Sequence, residues 1–457
     1  MSFIADKQTL EDLNLLGKYR PYSIYSLFDK VVTTGGERML DAMFQHPLSD
    51  AAEINQRSTL FKYFQRRALP FPFNKHEIGI MEDFLGAGGG NILAATAGAL
   101  RKKLMSTLVR DEAYGVLQTN VLTVIKVLND LSGFLRKLDE PESPQVRELG
   151  RPFEEQVTLL KGILRDWRLS GLRKDAGATT LPLLKLARYD HLFRLVLREE
   201  MEQVMEQIYR LDVYIAVGNV ARSRGFNYAM ALPKGNLVLR AAALSHPGLE
   251  SAVANPIDLQ RDSNMLFLTG ANMAGKSTFM KSFGIAIYLA HMGFPVAAER
   301  MTFSIRDGIY SSINVPDNLA LGLSHFYAEV LRVKKVAEVV SAGRDLIVIF
   351  DELFKGTNVK DAYDATLAVT EAFSKYRNCF FIISTHIIEV GETLRERCDN
   401  LQFAYLPTVM EGKAPRYTYK MERGITADRH GMMIIENEGI LAILEMEEGL
   451  KFKLHQR

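Results

Sequence analysis

Three short runs in this sequence carry residue types whose spacing suits phosphate chemistry. Gly270-Ala-Asn272-Met273-Ala274-Gly275-Lys276-Ser277 fits the G-x-x-x-x-G-K-[ST] pattern. Its glycines let backbone N–H groups converge on an anion, and a helix starting there adds the positive end of its dipole. Lys276 would reach the β- and γ-phosphates, and Ser277 would offer an oxygen to Mg²⁺. The second run, Leu346-Ile-Val-Ile-Phe-Asp351-Glu352, is apolar and delivers two acids at its end. Asp351 suits Mg²⁺, held through water, and Glu352 suits orienting and deprotonating an attacking water. An acid pair can also merely end a strand and cap the next helix. The third run closes in Ser384-Thr385-His386. A histidine there can donate to a γ-phosphate and report its loss, or be an ordinary cap or core residue, so its assignment depends on the other two runs.

These residues need a strand–loop–helix frame, and the surrounding pattern supplies one. Met265 to Thr269 precedes the glycine loop as a short apolar run, and Thr278 to His291 follows it with helical texture. Leu346 to Phe350 and Phe380 to Ser384 are further short runs rich in Ile, Leu, Val and Phe, as expected of strands buried on both faces. Chemistry at the carboxyl ends of such strands is the rule in open α/β sheets. The most apolar long stretch, Phe283 to Ala298, contains His291 and Pro295 and reads as a buried helix leading into a strand.

Before about Leu232 the sequence reads as helices. Val121, Val124, Leu128, Leu131 and Leu135 alternate steps of three and four. Phe153, Val157, Leu160, Leu164 and Trp167 keep that rhythm, as do Leu197, Met201, Val204, Ile208, Leu211 and Ile215. These seams are expected to pack on one another. Breaks fall at Pro70 and Pro72, Gly86 to Gly90, Pro141 to Pro152 and Ser170 to Pro182. The glycines at 86 and 88–90 read as a loop, because neither a lysine nor a strand accompanies them. Pro233 and Gly235 are expected to end the last helix, which divides the chain into an all-α domain, 1–232, and an α/β domain, 233–457.

Composition sets wide limits. The 457 residues are 47% hydrophobic and 24% charged, the make-up of a globular chain long enough for two to four domains. Two cysteines, Cys379 and Cys398, are too few for a disulfide framework, and with Asp6, Lys7, Glu11 and Asp12 interrupting the start no secretory signal is legible, so the cytoplasm is the expected compartment. Residues 1–240 hold 33 Lys+Arg and 28 Asp+Glu, a balance of +5; residues 241–457 hold 23 and 26, a balance of −3, and together they recover the net +2. A mildly basic first half is compatible with contacts to a phosphate backbone and equally with a solvated helical surface.

The three runs together resemble the ATPase domain of the MutS family, within the wider ABC-type ATPases. That family's phosphate loop reads G-x-N-M-x-G-K-S-T, matched by Gly270, Asn272, Met273, Gly275, Lys276, Ser277 and Thr278. Its signature segment, D-D-L-A-x-G-x-S-T-F, resembles Asp317-Asn-Leu-Ala-Leu-Gly322-Leu-Ser324-His-Phe326. The resemblance implies that Gly322 and Ser324 face a γ-phosphate held by a second subunit. Gly356-Thr357-Asn358 after the acids, Thr385-His386, and Gly424 to Gly431 with Gly439 are similar to further family segments, and Tyr419 falls where an aromatic ring stacks on adenine. Leu10 to Leu16, Ser26-Leu-Phe, Thr33 to Leu40, Pro47-Leu with Ile54 and Arg57, and Leu211-Asp212 resemble the family's helical core, whose long helices act as a lever.

The resemblance implies a multidomain ATP- and Mg²⁺-dependent ATPase, with Glu352, His386 and Lys276 catalytic and Ser277 and Asp351 on the metal. It also implies a homodimer with composite sites acting on DNA, with repair proteins as further partners. Five residues depart from the pattern: Asn318 and His325 in the signature, Phe354-Lys355 in place of Gly-Arg, and Ala252 where an aromatic is common. The core-like pattern starts at about residue 10, so no mismatch-reading domain is expected before it. A nucleotide-switched protein scaffold with slow turnover is the rival reading. A transporter-type ABC subunit and a small-molecule kinase fit less well.

Overall fold

The fold is that of a computed structural model describing residues 3–17, 22–87, 112–141, 143–313, 325–411, 414–426, 439 and 443. It divides into two compact units. One comprises Leu27–Gln45 and Gln56–Arg224, the other Met1–Ser26, His46–Asn55 and Gly225–Arg457. Among the described residues, no helix is long and apolar enough to cross a membrane.

The first unit is helical. Its longest helices, Glu112–Asp139 and Arg198–Arg224, carry two of the expected seams, with Val121, Val124, Leu128, Leu131, Leu135, Met201, Val204, Ile208, Leu211 and Ile215 all buried. The third seam is shorter than expected. Helix Glu154–Leu164 ends before Trp167, which starts a separate 3-10 turn capped by Asp166 and lies 76% exposed. Helix Glu154–Leu164 still packs against both long helices, and the rings of Phe153, Phe64 and Tyr214 close the core beside it at 5.5–6.2 Å. Buried Asp212 ties the start of this unit to its last helix: it accepts from the backbone N–H of Val32 (3.0 Å) and Thr33 (2.7 Å) and from the Thr33 hydroxyl (2.7 Å). Gly36 faces that carboxylate, and a Cβ there would come within 2.6 Å of it.

The last helix stops at Arg224, where Gly225 turns the chain at φ +67°, earlier than the Pro233 and Gly235 stop expected from sequence. Residues Asn227–Tyr228 and Met230–Leu232 are already strands of the second unit. Nor is the division a single cut near residue 232. The first strand and helix, Ile4–Ala5 and Lys7–Asp12, fold with the α/β unit, because Ile4–Ala5 pairs in parallel with Gly308–Ile309.

The main sheet of this unit runs Ile4–Ala5, Gly308–Ser312, Leu346–Phe350, Phe380–Ser384, Met265–Gly270, Leu401–Leu406, Glu422–Arg423; all neighbours are parallel except the last pair. The four strands from Gly308 to Gly270 in that order are buried at every residue, as their unbroken apolar character requires. A smaller mixed sheet runs Met230–Leu232, Arg300–Ser304, Val238–Leu244, Asn255–Gln260.

Helix Lys276–His291 ends in a fully buried histidine. The His291 ring lies 4.0 Å from that of Phe3 and 5.0 Å from that of Phe303; Nδ1 is 3.0 Å from the Leu48 carbonyl, and Nε2 accepts the Arg306 N–H at 3.4 Å. Burial pushes its pKa down to about 3, so the ring is neutral when folded. An unfolded histidine takes its proton near pH 6.5. This contribution to stability is therefore complete above that pH and lost as pH falls toward 3, by about 2 kcal/mol between pH 6.5 and 5. In urea titrations from pH 7.5 to 5, His291→Gln should flatten the pH dependence by about that amount. An unchanged slope would contradict this role.

Candidate nucleotide site

Gly270 closes the strand at φ +144°, and a Cβ there would meet the Leu406 carbonyl at 3.1 Å. Gly275, at φ +103°, is the N-cap of helix Lys276–His291, and no side chain caps the helix, so its first N–H groups are free to receive an anion. The helix starts two residues before the Thr278 expected from sequence. Between the glycines, Asn272 and Met273 form the exposed tip, Met273 at φ +66°, while Ala274 is buried. Thr278 is exposed on the first turn.

Lys276 is buried and folds back over the loop, its Nζ donating to the carbonyls of Gly270 (2.8 Å) and Ala271 (3.1 Å) and lying 3.5 Å from His386 Nδ1. Burial lowers its pKa, and Glu352 and Asp351 pull it back up. Strand Phe380–Ser384 separates the loop strand from the acid strand, yet the carboxyl ends converge. The Ser277 hydroxyl donates to Asp351 Oδ2 at 2.5 Å, and the Ser384 hydroxyl to Asp351 Oδ1 at 2.5 Å. Ser384 also accepts the Glu352 N–H, at 3.2 Å.

Glu352 has φ +54° and Phe354 φ +63°, backbone values uncommon outside glycine. That turn aims the Glu352 carboxylate at His386, with Oε1 2.5 Å from Nε2. The histidine hydrogen bond holds the carboxyl below its ordinary range against burial, with Lys276 and Lys355 assisting. The acids do not cap the next helix: Asn358 does, its side chain accepting from Asp361 N at 3.0 Å ahead of Val359–Ser374. The alternative reading of the acid pair as a cap is thereby removed.

Beside the loop lies a cavity of about 260 Å³ lined by Leu244, Leu249, Ala252, Thr278, Phe279 and Tyr419. Tyr419 is half-exposed, and its ring edge reaches to 3.0 Å from where a Gly275 Cβ would stand. Asn255 fixes this segment, donating to the Tyr419 carbonyl at 2.9 Å and accepting from Met421 N at 2.7 Å. An aromatic wall, apolar floor and adjoining anion loop suit a nucleoside triphosphate. Asn255 was not legible in the sequence, and Ser384 was visible only as a hydroxyl at a strand end.

Among the described residues, no cluster of three or more His, Cys, Asp or Glu side chains stands ready for a metal. Two hard oxygens, Ser277 Oγ and Asp351 Oδ2, do lie together at the loop. That set fits Mg²⁺, which takes few protein ligands and fills its octahedron with phosphate and water. Gly322 and Ser324, with Asp317 and Asn318, lie outside the described residues, as does Gly431.

Residues 266–449 match the family model of MutS domain V. The chain is 32% identical over 277 residues to the DNA mismatch repair protein MutS of Thermus thermophilus, covering 56% of this chain and 33% of that protein. It is 28% identical over 236 residues to the DNA mismatch repair protein spellchecker 1 of Drosophila melanogaster, covering 50% and 25%. To MutS of Listeria monocytogenes it is 27% identical over 244 residues, covering 52% and 28%. The chain thus spans about a third or less of the length of these relatives.

Proposed function

We propose that this chain, whose residues 266–449 match the family model of MutS domain V, is a Mg²⁺-dependent ATPase of MutS type that dimerises around two composite nucleotide sites and moves a helical lever on DNA. The observation that carries this reading is the convergence at the strand ends: Ser277 on Asp351 at 2.5 Å, and Glu352 on His386 at 2.5 Å beside Lys276.

In this reading the loop N–H groups and Lys276 bind the phosphates, and Tyr419 covers one face of the base. Mg²⁺ held by Ser277 and Asp351 would neutralise charge on the β- and γ-oxygens. Glu352, ionised at neutral pH and fixed by His386, orients a water toward the γ-phosphorus and draws off its proton. Hydrolysis then transfers the γ-phosphoryl group to that water, leaving ADP and phosphate. Gly322 and Ser324 of the partner subunit complete the charge shell on closure, which ties dimer state to nucleotide state.

The test is a binding panel of duplex, mismatched and branched DNA between 50 and 200 mM salt, with and without ATP, alongside ATP turnover. Backbone contact should give a slope of log affinity on log salt of about −0.9 per phosphate neutralised. ATP turnover with no DNA retained at any salt would favour the protein scaffold instead.

A further inference from the structure

The N-terminal strand and helix are built into the α/β unit through polar groups aimed at one place. Asp6 caps helix Lys7–Asp12, accepting from Thr9 N (3.1 Å) and the Thr9 hydroxyl (2.7 Å). The same carboxylate takes a two-armed contact from buried Arg332 and a hydrogen bond from Lys335 at 2.9 Å. Burial pushes Asp6 up, but these cations outweigh it and hold the carboxyl well below its usual range. The Thr9 oxygen accepts from Ser311 N at 2.9 Å and from Arg332 at 3.2 Å. Asp12 accepts from the Ser311 hydroxyl at 2.7 Å and from Ile313 N at 3.0 Å. Arg332 in turn donates Nε–H to the Ser311 carbonyl at 3.0 Å.

All these bonds grip the end of strand Gly308–Ser312 and helix His325–Ser341. The next carbonyl along, that of Ser312, accepts the Asp351 N–H at 2.9 Å. Ile313 and His325 also flank the run holding Gly322 and Ser324 in sequence. On its other side the segment touches the phosphate-loop helix: Leu13 fills the space a Cβ at Gly284 would need, and Phe3 lies on His291.

We propose that Asp6, Thr9 and Asp12 are positioning residues for the ATPase reaction, setting strand residues 311–313 and through them the Asp351 backbone. This rests on the ATPase reading above. Apolar packing would suffice to attach a short edge strand. Burying one carboxylate and a guanidinium, with a second carboxylate partly buried beside them, carries a desolvation cost that packing alone does not require. What the polar set adds is direction: Thr9, Asp12 and Arg332 each bond to a particular backbone or hydroxyl atom of 311–313, and Asp6 holds Thr9 and Arg332 in place. The bonds named above lead to residues 311–313 and helix His325–Ser341, next to Asp351 rather than to the loop that binds phosphate, so they should affect the chemical step rather than nucleotide affinity.

The experiment compares full-length wild type, Asp12→Ala, Asp12→Asn and Thr9→Val in binding of a fluorescent ATP analogue with Mg²⁺ and in steady-state turnover, with thermal unfolding alongside. Affinity should stay within about 2-fold while kcat falls roughly 10-fold or more in Asp12→Ala. Asp12→Asn, which keeps an acceptor oxygen, should recover most of it. Thr9→Val preserves shape and carries the same expectation should Asp12→Ala not fold. Unchanged kcat in folded variants, or affinity and kcat falling together with Tm, would overturn the positioning role and leave the ATPase reading intact. A wild type that neither binds nor hydrolyses ATP would overturn both.

Discussion

Lys276→Ala is expected to weaken nucleotide binding at least about 100-fold, nearly 3 kcal/mol of binding energy, which at micromolar protein reads as no binding. The ammonium is buried at the mouth of the loop, within reach of two loop carbonyls and 3.5 Å from His386. Its charge is kept against burial by Asp351 and Glu352. A triphosphate entering here brings several negative charges into a partly desolvated site beside two carboxylates. Without Lys276 that charge is opposed by helix N–H groups alone, while the repulsion from Asp351 and Glu352 remains. Removing the side chain also takes a donor from the carbonyls of Gly270 and Ala271, so a second variant separates charge from packing. Lys276→Met keeps the stem and should bind as poorly as alanine. Titration calorimetry with ATP and Mg²⁺ checks both. Retained micromolar affinity in either would place the phosphates elsewhere.

The legibility of this site in sequence follows the range of its interactions. The loop, its strand and its helix are contiguous, so glycine spacing and local apolar pattern sufficed. The acid strand and Ser384-Thr385-His386 were legible for the same reason, since residues at the end of a buried run must project at the sheet edge. Interactions across the chain were not. Asp6, Glu11 and Asp12 read in the sequence as charges that break a signal peptide, and the last two as part of the Leu10 to Leu16 run resembling the helical core, yet they fold with the α/β unit and Asp12 finds Ser311, 299 residues away. Two residues of strand, Ile4–Ala5, are too short for periodicity to register, and their partner is equally remote. Trp167 failed for a local reason: the heptad-like rhythm continued past Leu164, but the Asp166 cap started a new turn and carried the ring outward. Asn255 shows the limit most clearly, because both its partners sit at Tyr419 and Met421, more than 160 residues on.

Glu352→Gln should separate binding from cleavage. The substitution keeps size and hydrogen-bonding capacity, so the contact with His386 and the φ +54° turn can survive. What would disappear, in the reaction proposed above, is the negative charge that orients and deprotonates water, a function whose loss costs about 10²–10⁴-fold in rate. Removing a negative charge from beside the γ-phosphate should also leave ATP affinity unchanged or tighter. The held carboxyl, depressed chiefly by the His386 hydrogen bond, is fully ionised at neutral pH, so wild-type turnover should not gain from raising pH above 7 through this group. The expected outcome is a chain that binds ATP, turns over at least roughly 100-fold more slowly, and accumulates as ATP-loaded dimers in light scattering. His386→Asn should lower kcat less, since it loosens the carboxylate without removing it. Equal turnover in Glu352→Gln and wild type would take Glu352 out of the chemistry and leave the 2.5 Å contact with His386 as a structural tie alone.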